Sequence, residues 1–379
     1  MDYETLKLIW WVLIGVLLIG FAVTDGFDMG VLSLLKILGK TDNERRVMLN
    51  TVGPHWDGNQ VWFITAGGAI FAAWPVVYAV AFSGLYFALL LVLFAMFFRP
   101  VGFEYRSKIE EVKWRNNWDW LLTAGGAIPS LVFGVAFGNL FLGLPFNLDN
   151  TMRSVYEGSF WALLNPFALL VGVVSLAMLV MQGAAYLQMR TQDDLYERCK
   201  KASVLSAIVT LVSFIFAGIC LALWIDGFVI ADLAKATGGV ITPHDKTVTM
   251  VEGAWLNNYS IYPITMIAPV LGIAGLVLTI LLSAKNKTGL AFVASSIAVT
   301  GIICTAGFSL FPFVMPSSLN PQISLTLWDV VSSEKTLNVM FIAAVIFVPI
   351  ILAYTTWGYY KMWGRISTDH IENNKYGTY

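Results

Sequence analysis

Asp25, Asp28, Asp57, Arg99 and Asp119 stand at the edges of long runs that carry no other charge. A carboxylate held in or near hydrocarbon costs several kcal/mol, so such groups pair, take up a proton or line a wet cavity. Asp25 and Asp28 lie three residues apart and share one face of a helix. Carboxylates gathered around one arginine crowd like charges in a poorly solvated place, which favours a proton on one of them. Proton uptake is therefore the chemistry this set points to. A plainer reading also stands. Asp57, followed by Gly58 and Asn59, suits the start of a helix, where negative charge is stabilised. Asp28 or Asp119 would equally serve as a salt-bridge partner of Arg99.

The elements that must position these groups are membrane helices. The chain has 379 residues, 58 % of them hydrophobic and 12 % charged, against about 25 % charged in soluble domains. Mean hydropathy is +0.72. These values exclude a soluble enzyme, a disordered chain and a disulfide scaffold. Lys and Arg number 23 against 24 Asp and Glu, so no basic excess points to nucleic acid. The three cysteines form no metal-binding pair. The stretch 1–7, acidic and without a small-residue cleavage site after it, reads as the start of an uncleaved first span.

Charge-free runs cover residues 8–24, 58–98, 120–148, 158–189, 202–225, 253–284, 288–328 and 336–360. A helix needs about 20 apolar residues to cross the hydrocarbon. The second run divides at Trp74-Pro75 into two spans. The seventh turns polar at Pro316 and yields one span and a loop. The expectation is a single polytopic domain over 1–379, an all-α membrane protein with nine transmembrane helices. Lys and Arg divide five to eighteen between the two sides on this count. The positive-inside rule then puts the N-terminus outside and the C-terminus in the cytoplasm. Trp10, Trp11, Trp224, Trp255, Trp357 and Trp363 fall near the expected boundaries, as interfacial aromatics do.

Two spans reach full length only by including an acid. The first carries Asp25 to the hydrocarbon edge with Asp28 one turn on. The second, counted back from Trp74, begins near His55-Trp56-Asp57 and draws Asp57 inward. Arg99 ends the third span and Asp119 opens the fourth, so four consecutive helices offer an ionisable group at one level. The segment 99–108 mixes both signs and reads as a solvated loop at the headgroups. The hexapeptide Thr-Ala-Gly-Gly-Ala-Ile occurs at 65–70 and again at 123–128; small residues of this kind let helices approach closely. Of the three histidines, His244 falls in an outer loop and His370 in the tail, leaving His55 beside the membrane. No pair of helices offers two histidines to a haem.

At these residues the chain resembles subunit II of the cytochrome bd ubiquinol oxidases. The matching stretches are 20–30 (Gly-Phe-Ala-Val-Thr-Asp-Gly-Phe-Asp-Met-Gly), 54–62 (Pro-His-Trp-Asp-Gly-Asn-Gln-Val-Trp) and 98–103 (Phe-Arg-Pro-Val-Gly-Phe). Asn165-Pro166-Phe167, Gln182-Gly183, the run 311–318 and Leu325-Thr326-Leu327-Trp328-Asp329 extend the likeness along essentially the whole chain. The resemblance implies a bacterial inner-membrane terminal oxidase that oxidises quinol, reduces oxygen to water and charges the membrane by drawing protons from the cytoplasm. It implies an obligate heterodimer with a subunit I that holds haem b and haem d, and in some members a small single-span accessory subunit. Subunit II itself is haem-free, built as two four-helix bundles plus a peripheral helix. It stabilises the haem subunit, contributes acids to the proton path and in some members holds a structural ubiquinone. The acids of that path fall here on Asp25 and Asp57, with Asp28 a neighbour. Arg99 and Asp119 are candidate charge partners, and His55 and Trp56 candidate polar neighbours; no catalytic residue or metal ligand is expected in this chain. A proton-coupled secondary transporter is the competing reading, weakened because transporter sites lie near the midplane.

Overall fold

The computed structural model describes residues 2–149, 151–233, 242–367 and 371; His370 and Lys375 lie outside them. Helix α1 (Tyr3–Val23) starts where the Asp2 side chain accepts from the Thr5 N–H. It runs almost without interruption into α2 (Asp25–Leu38). At the junction the Thr24 N–H and hydroxyl both donate to the Gly20 carbonyl, a local kink that keeps the chain helical. Together they form one 36-residue path from Tyr3 to Leu38. At 1.5 Å per residue Asp25 lies about 33 Å from the start of α1, a distance comparable to a hydrocarbon core about 30 Å thick. Helix α2 continues to Leu38 and every residue from Asp25 to Leu35 is buried.

Helix α3 (Asp42–Val52) begins in a capping box formed by Thr41 and Glu44. Helix α4 (Trp56–Ala73) then crosses and turns through 120° at Trp74 into α5 (Pro75–Gly84). Pro75, in the first turn of α5, loses no helical hydrogen bond by lacking an N–H. Ten residues, about 15 Å of helix, are too short to cross, so the third span is α6 (Tyr86–Tyr105). It begins later and ends later than the charge gap suggested. The remaining helices are α7 (Val112–Leu142), α8 (Pro166–Arg190), α9 (Asp193–Leu223), the short α10 (Asn257–Ile261), α11 (Ile267–Ala284), α12 (Thr288–Leu310) and α13 (Glu334–Lys361). Among the described residues eight helical stretches are long and apolar enough to span, or nine with the bent α4–α5 pair.

Helices α1–α2, α4, α6 and α7 form one bundle, and α8, α9, α11 and α12 the other. Helix α13 lies outside both, against α1 and α4, and Leu337 is its one buried side chain among the described residues. The bundles meet where α2 threads between α7 and α8. A Cβ on Gly30 would stand 2.0 Å from the Leu179 carbonyl oxygen, and one on Gly126 2.4 Å from that of Met29. Gly183 meets the Gly30 backbone at 2.5 Å in the same sense. Three glycines therefore let three backbones touch, the use of small residues known from membrane helices. Gly126 belongs to the second copy of the repeated hexapeptide; in the first copy, Gly67 and Gly68 of α4 face open space.

The end remote from Asp25 carries three antiparallel hairpins that the run lengths do not disclose. They are β1–β2 (Phe146–Leu148 with Ser154–Tyr156), β3–β4 (Asp226–Leu233 with Lys246–Glu252) and β5–β6 (Phe313–Met315 with Leu325–Thr326). Trp255 is buried among Phe141, Phe228 and Phe313, and its indole N–H donates to the Phe141 carbonyl. Trp10 is likewise buried, donating to the Leu337 carbonyl. These two tryptophans are packing residues and not the interfacial belt expected of them, whereas Trp224, Trp357 and Trp363 are exposed.

Candidate functional site

The first turn of α2 presents Asp25 and Asp28 to the interior, both with no exposed surface. Arg99 comes from α6 and grips Asp25 with both terminal nitrogens, NH1 to Oδ2 at 2.9 Å and NH2 to Oδ1. The Trp56 ring covers the guanidinium with 5.6 Å to its centroid and stacks on Phe103. Arg99 therefore does not lie in a solvated loop. Helix α6 continues through Pro100 to Tyr105, and Arg99 and Arg106, two turns apart on one face, are both fully buried. Carboxylates already inside the bundle pull these arginines in, since each charge alone would be costly there.

Asp28 is bound differently. Its Oδ2 accepts from Asn59 Nδ2 at 2.7 Å, whereas its Oδ1 has no hydrogen-bond partner among the described residues. That oxygen lies 3.9 Å from His55 Nδ1. Tyr359, reaching in from α13, donates to Asn59 Oδ1. Tyr186 of α8 donates to the Thr51 carbonyl at 2.9 Å. The Tyr186 oxygen is then free to accept from His55 Nε2–H at 3.0 Å, which leaves His55 Nδ1 to accept from Asn59 at 3.3 Å. These roles define a neutral imidazole. Burial, reinforced by the positive charge of Arg190, holds its pKa down at about 4.

A second charged layer lies two helical turns further along α6. Asp119 of α7 binds Arg106 Nε at 2.6 Å and Arg45 Nε at 2.8 Å. Arg106 and Arg115 meet on Asp42 at 2.7 and 2.6 Å. Burial on its own would raise the Asp42 carboxyl, but Arg106, Arg115 and Arg45 outweigh it and hold it below the usual carboxylate range. Glu44, paired with Arg198 and capping α3, is lowered in the same way against its partial burial. Asp119 is thus a partner of Arg106 and Arg45 and not of Arg99. The single level expected for four helices is two layers.

Asp57 departs most from expectation. It occupies the first turn of α4 but points away from the cluster and is exposed on this chain. Asn59, two residues on and so about 200° around the helix, takes the inward place. Asp57 instead heads an outward stripe with Val61, Ile64, Gly68 and Phe71, spaced four, three, four and three residues apart. His55 and Trp56 do line the site, as expected. Asn59, Tyr186, Tyr359, Arg106, Arg45 and Asp42 complete it and were not foreseen. Asn59 follows His55 by one helical turn and Arg106 follows Arg99 by two, a spacing that would have indicated both. Tyr186 and Tyr359 carry no such local signal.

Both nitrogens of His55 are engaged, His244 is exposed at the opposite end, and among the described residues no group of three His, Cys, Asp or Glu could hold a metal. Between the bundles lies an apolar cavity of about 150 Å³, bordered by Phe21, Phe63, Phe133, Phe137, Met178 and Ile302.

The family model for cytochrome bd terminal oxidase subunit II matches residues 6–362. The sequence is 55 % identical over 378 residues to cytochrome bd-I ubiquinol oxidase subunit 2 of Escherichia coli K12, covering all of both chains. A probable cytochrome oxidase subunit 2 of Haemophilus influenzae is 53 % identical over 381 residues, again covering both completely. Cytochrome bd ubiquinol oxidase subunit 2 of Bacillus subtilis is 32 % identical over 363 residues, 95 % of this chain and 96 % of that one. The fold is similar to a chain of the bd oxidase from Geobacillus thermodenitrificans, with a TM-score of 0.68 and 14 % identity over 93 % of this chain and 97 % of the other.

Proposed function

The chain belongs to the cytochrome bd terminal oxidase subunit II family, and we propose that within its quinol oxidase it carries part of the path by which protons enter from the cytoplasm. Membership makes it a multi-pass inner-membrane subunit of a terminal oxidase that works with a subunit I. It also displaces the transporter reading. The observation that carries the proton-path proposal is Asp28, fully buried with one oxygen unpartnered among the described residues, beside an Asp25 whose charge Arg99 already compensates. A buried carboxylate in that condition exchanges a proton more cheaply than it holds a charge. The five-to-eighteen division of Lys and Arg supports a cytoplasmic location for this end, with the N-terminus periplasmic and the C-terminus cytoplasmic.

Asp57 enters this reading through the partner. Its stripe on α4 has the alternating four-and-three spacing of a helix seam, and Gly68 leaves room on it for a close backbone. Subunit I docks on this stripe, which buries Asp57 between the chains and continues the path from one subunit to the other. The haem centres belong to subunit I, consistent with the engaged state of His55. The apolar cavity suits part of a quinone, since a cavity of about 150 Å³ accommodates a benzene-sized ring. A small accessory subunit remains compatible with the exposed flank of α13.

The test is purification of the intact complex followed by substitution. Haem bands that respond to dithionite must accompany this chain. Asp28→Asn and Asp57→Asn should leave haem content intact and slow quinol-driven oxygen consumption. Unchanged turnover and membrane charging in both well-assembled variants would leave the chain a scaffold.

A further inference from the structure

We propose that His55 is the proton donor to Asp28, its Nδ1 facing at 3.9 Å a buried carboxylate oxygen that has no hydrogen-bond partner among the described residues. The inference rests on the proton-path reading and adds to it a residue and a step. At 3.9 Å the two atoms are too far apart for a hydrogen bond, and a small rotation of the ring closes the gap. In the neutral state Nδ1 is an acceptor and takes the second N–H of Asn59. Protonation turns Nδ1 into a donor, so Asn59 can no longer serve it and the free Oδ1 of Asp28 becomes its complement. The same ring thus has two arrangements, selected by one proton.

The surroundings decide how long the proton stays. Asp28 and Phe27 face His55 from α2, Thr51 from α3, Tyr186 and Arg190 from α8, and Tyr359 from α13. Of these, the charged groups are Asp28 and Arg190. Arg190 repels an imidazolium and Asp28 attracts one, so the proton is driven toward the carboxylate. In the transfer the Nδ1–H bond of the imidazolium breaks and an Oδ1–H bond forms on Asp28. An ion pair becomes a neutral pair, which suits a dry site. The ring is left as the Nε2–H tautomer bound to Tyr186, the arrangement that the hydrogen-bond partners assign to the neutral ring. His55 regains its proton from cytoplasmic water at the turn that precedes α4, where Pro54 is exposed.

The experiment uses the purified two-subunit oxidase. His55→Gln retains an amide N–H for Tyr186 but cannot carry a proton. With haem content equal to wild type, the rate of quinol-driven oxygen consumption should fall by about tenfold or more, the low end of what a positioned acid supplies. Its dependence on pH between about 5 and 8 should flatten, and the infrared carboxyl band lost in Asp28→Asn should cease to respond to pH. A fully assembled His55→Gln complex with wild-type rate, pH profile and band overturns the proposal. If Asp28→Asn is slow in that case, the proton path stands without His55; if both variants are normal, the path itself falls. Should either variant fail to assemble, the unsubstituted complex with isotope-labelled aspartate and histidine decides. An aspartate carboxyl band and a histidine ring mode changing together support the transfer, and a carboxyl change with no histidine component overturns it.

Discussion

Arg99 holds Asp25 with two hydrogen bonds across the gap between α6 and α2, and neither side chain reaches the surface. Removing one partner leaves the other charged and buried, at a cost of about 3–5 kcal/mol. Arg99→Met or Asp25→Leu alone should lower the melting temperature of the complex and its haem yield. The double variant should recover most of the loss, since an apolar pair of similar volume strands no charge. A double variant no better than the single ones would show that the pair has a role besides neutralisation.

Gly68 and Gly30 make opposite demands. Gly30→Ala places a methyl within 2.0 Å of the Leu179 carbonyl and should prevent folding of the chain itself. A Cβ on Gly68 meets nothing within 4 Å in this chain, so Gly68→Leu should change the stability of the chain itself by no more than about 0.5 kcal/mol. The same leucine should weaken association with subunit I, measured by co-purification of haem. Full co-purification would move the docking surface away from α4.

Lys246 and Asp329 form a second closed pair, at the opposite end. They meet at 2.8 Å with neither side chain exposed, and Asp329 also accepts from Thr326. The pair ties the β3–β4 hairpin to the segment after β6. Asp329→Asn should make that hairpin sensitive to protease while leaving oxygen consumption per haem unchanged, because the proposed proton path lies at the other end. Protease resistance equal to wild type would show that the aromatic cluster around Trp255 suffices to hold it.

Stability should fall in acid for a stated reason. Asp42 and Glu44 have lowered pKa values, so their contribution is complete above about pH 4, the ordinary carboxylate value, and is lost as pH falls through the lowered values. Melting temperature followed between about pH 5 and 2 should decline more steeply for wild type than for Glu44→Gln, which lacks one of the titrating groups. Parallel curves would exclude Glu44 from the acid response.

His55 contributes in a higher window. Its pKa is about 4 in the folded chain against about 6.5 when unfolded. The unfolded chain therefore binds the proton first, and stability present above pH 6.5 is lost as pH falls toward 4. His55→Gln should remove this part of the decline, seen as a flatter melting temperature between about pH 6.5 and 4.

The legible part of the molecule was one-dimensional. Run length against bilayer thickness located the spans, and the first run, too short without an acid, continues past Asp25 in a 36-residue helical path from Tyr3 to Leu38. Trp74-Pro75 announced a turn that the structure makes at 120°. What run length omits is azimuth. Asp57 and Asn59 are two residues apart, and packing alone determines that Asn59 faces Asp28 while Asp57 faces outward. A charge at position 99 reads locally as the end of a span, yet the carboxylate that holds Arg99 inside the bundle lies 74 residues away on another helix.

The sequence by itself determined the class of protein and where its spans fall, because crossing a bilayer depends on how many apolar residues follow one another. Tertiary structure decided which cation neutralises which acid and which oxygen of Asp28 stays free. Those outcomes depend on how closely α2, α7 and α8 approach at Gly30, Gly126 and Gly183, and a contact between segments far apart in the chain leaves no mark in local composition.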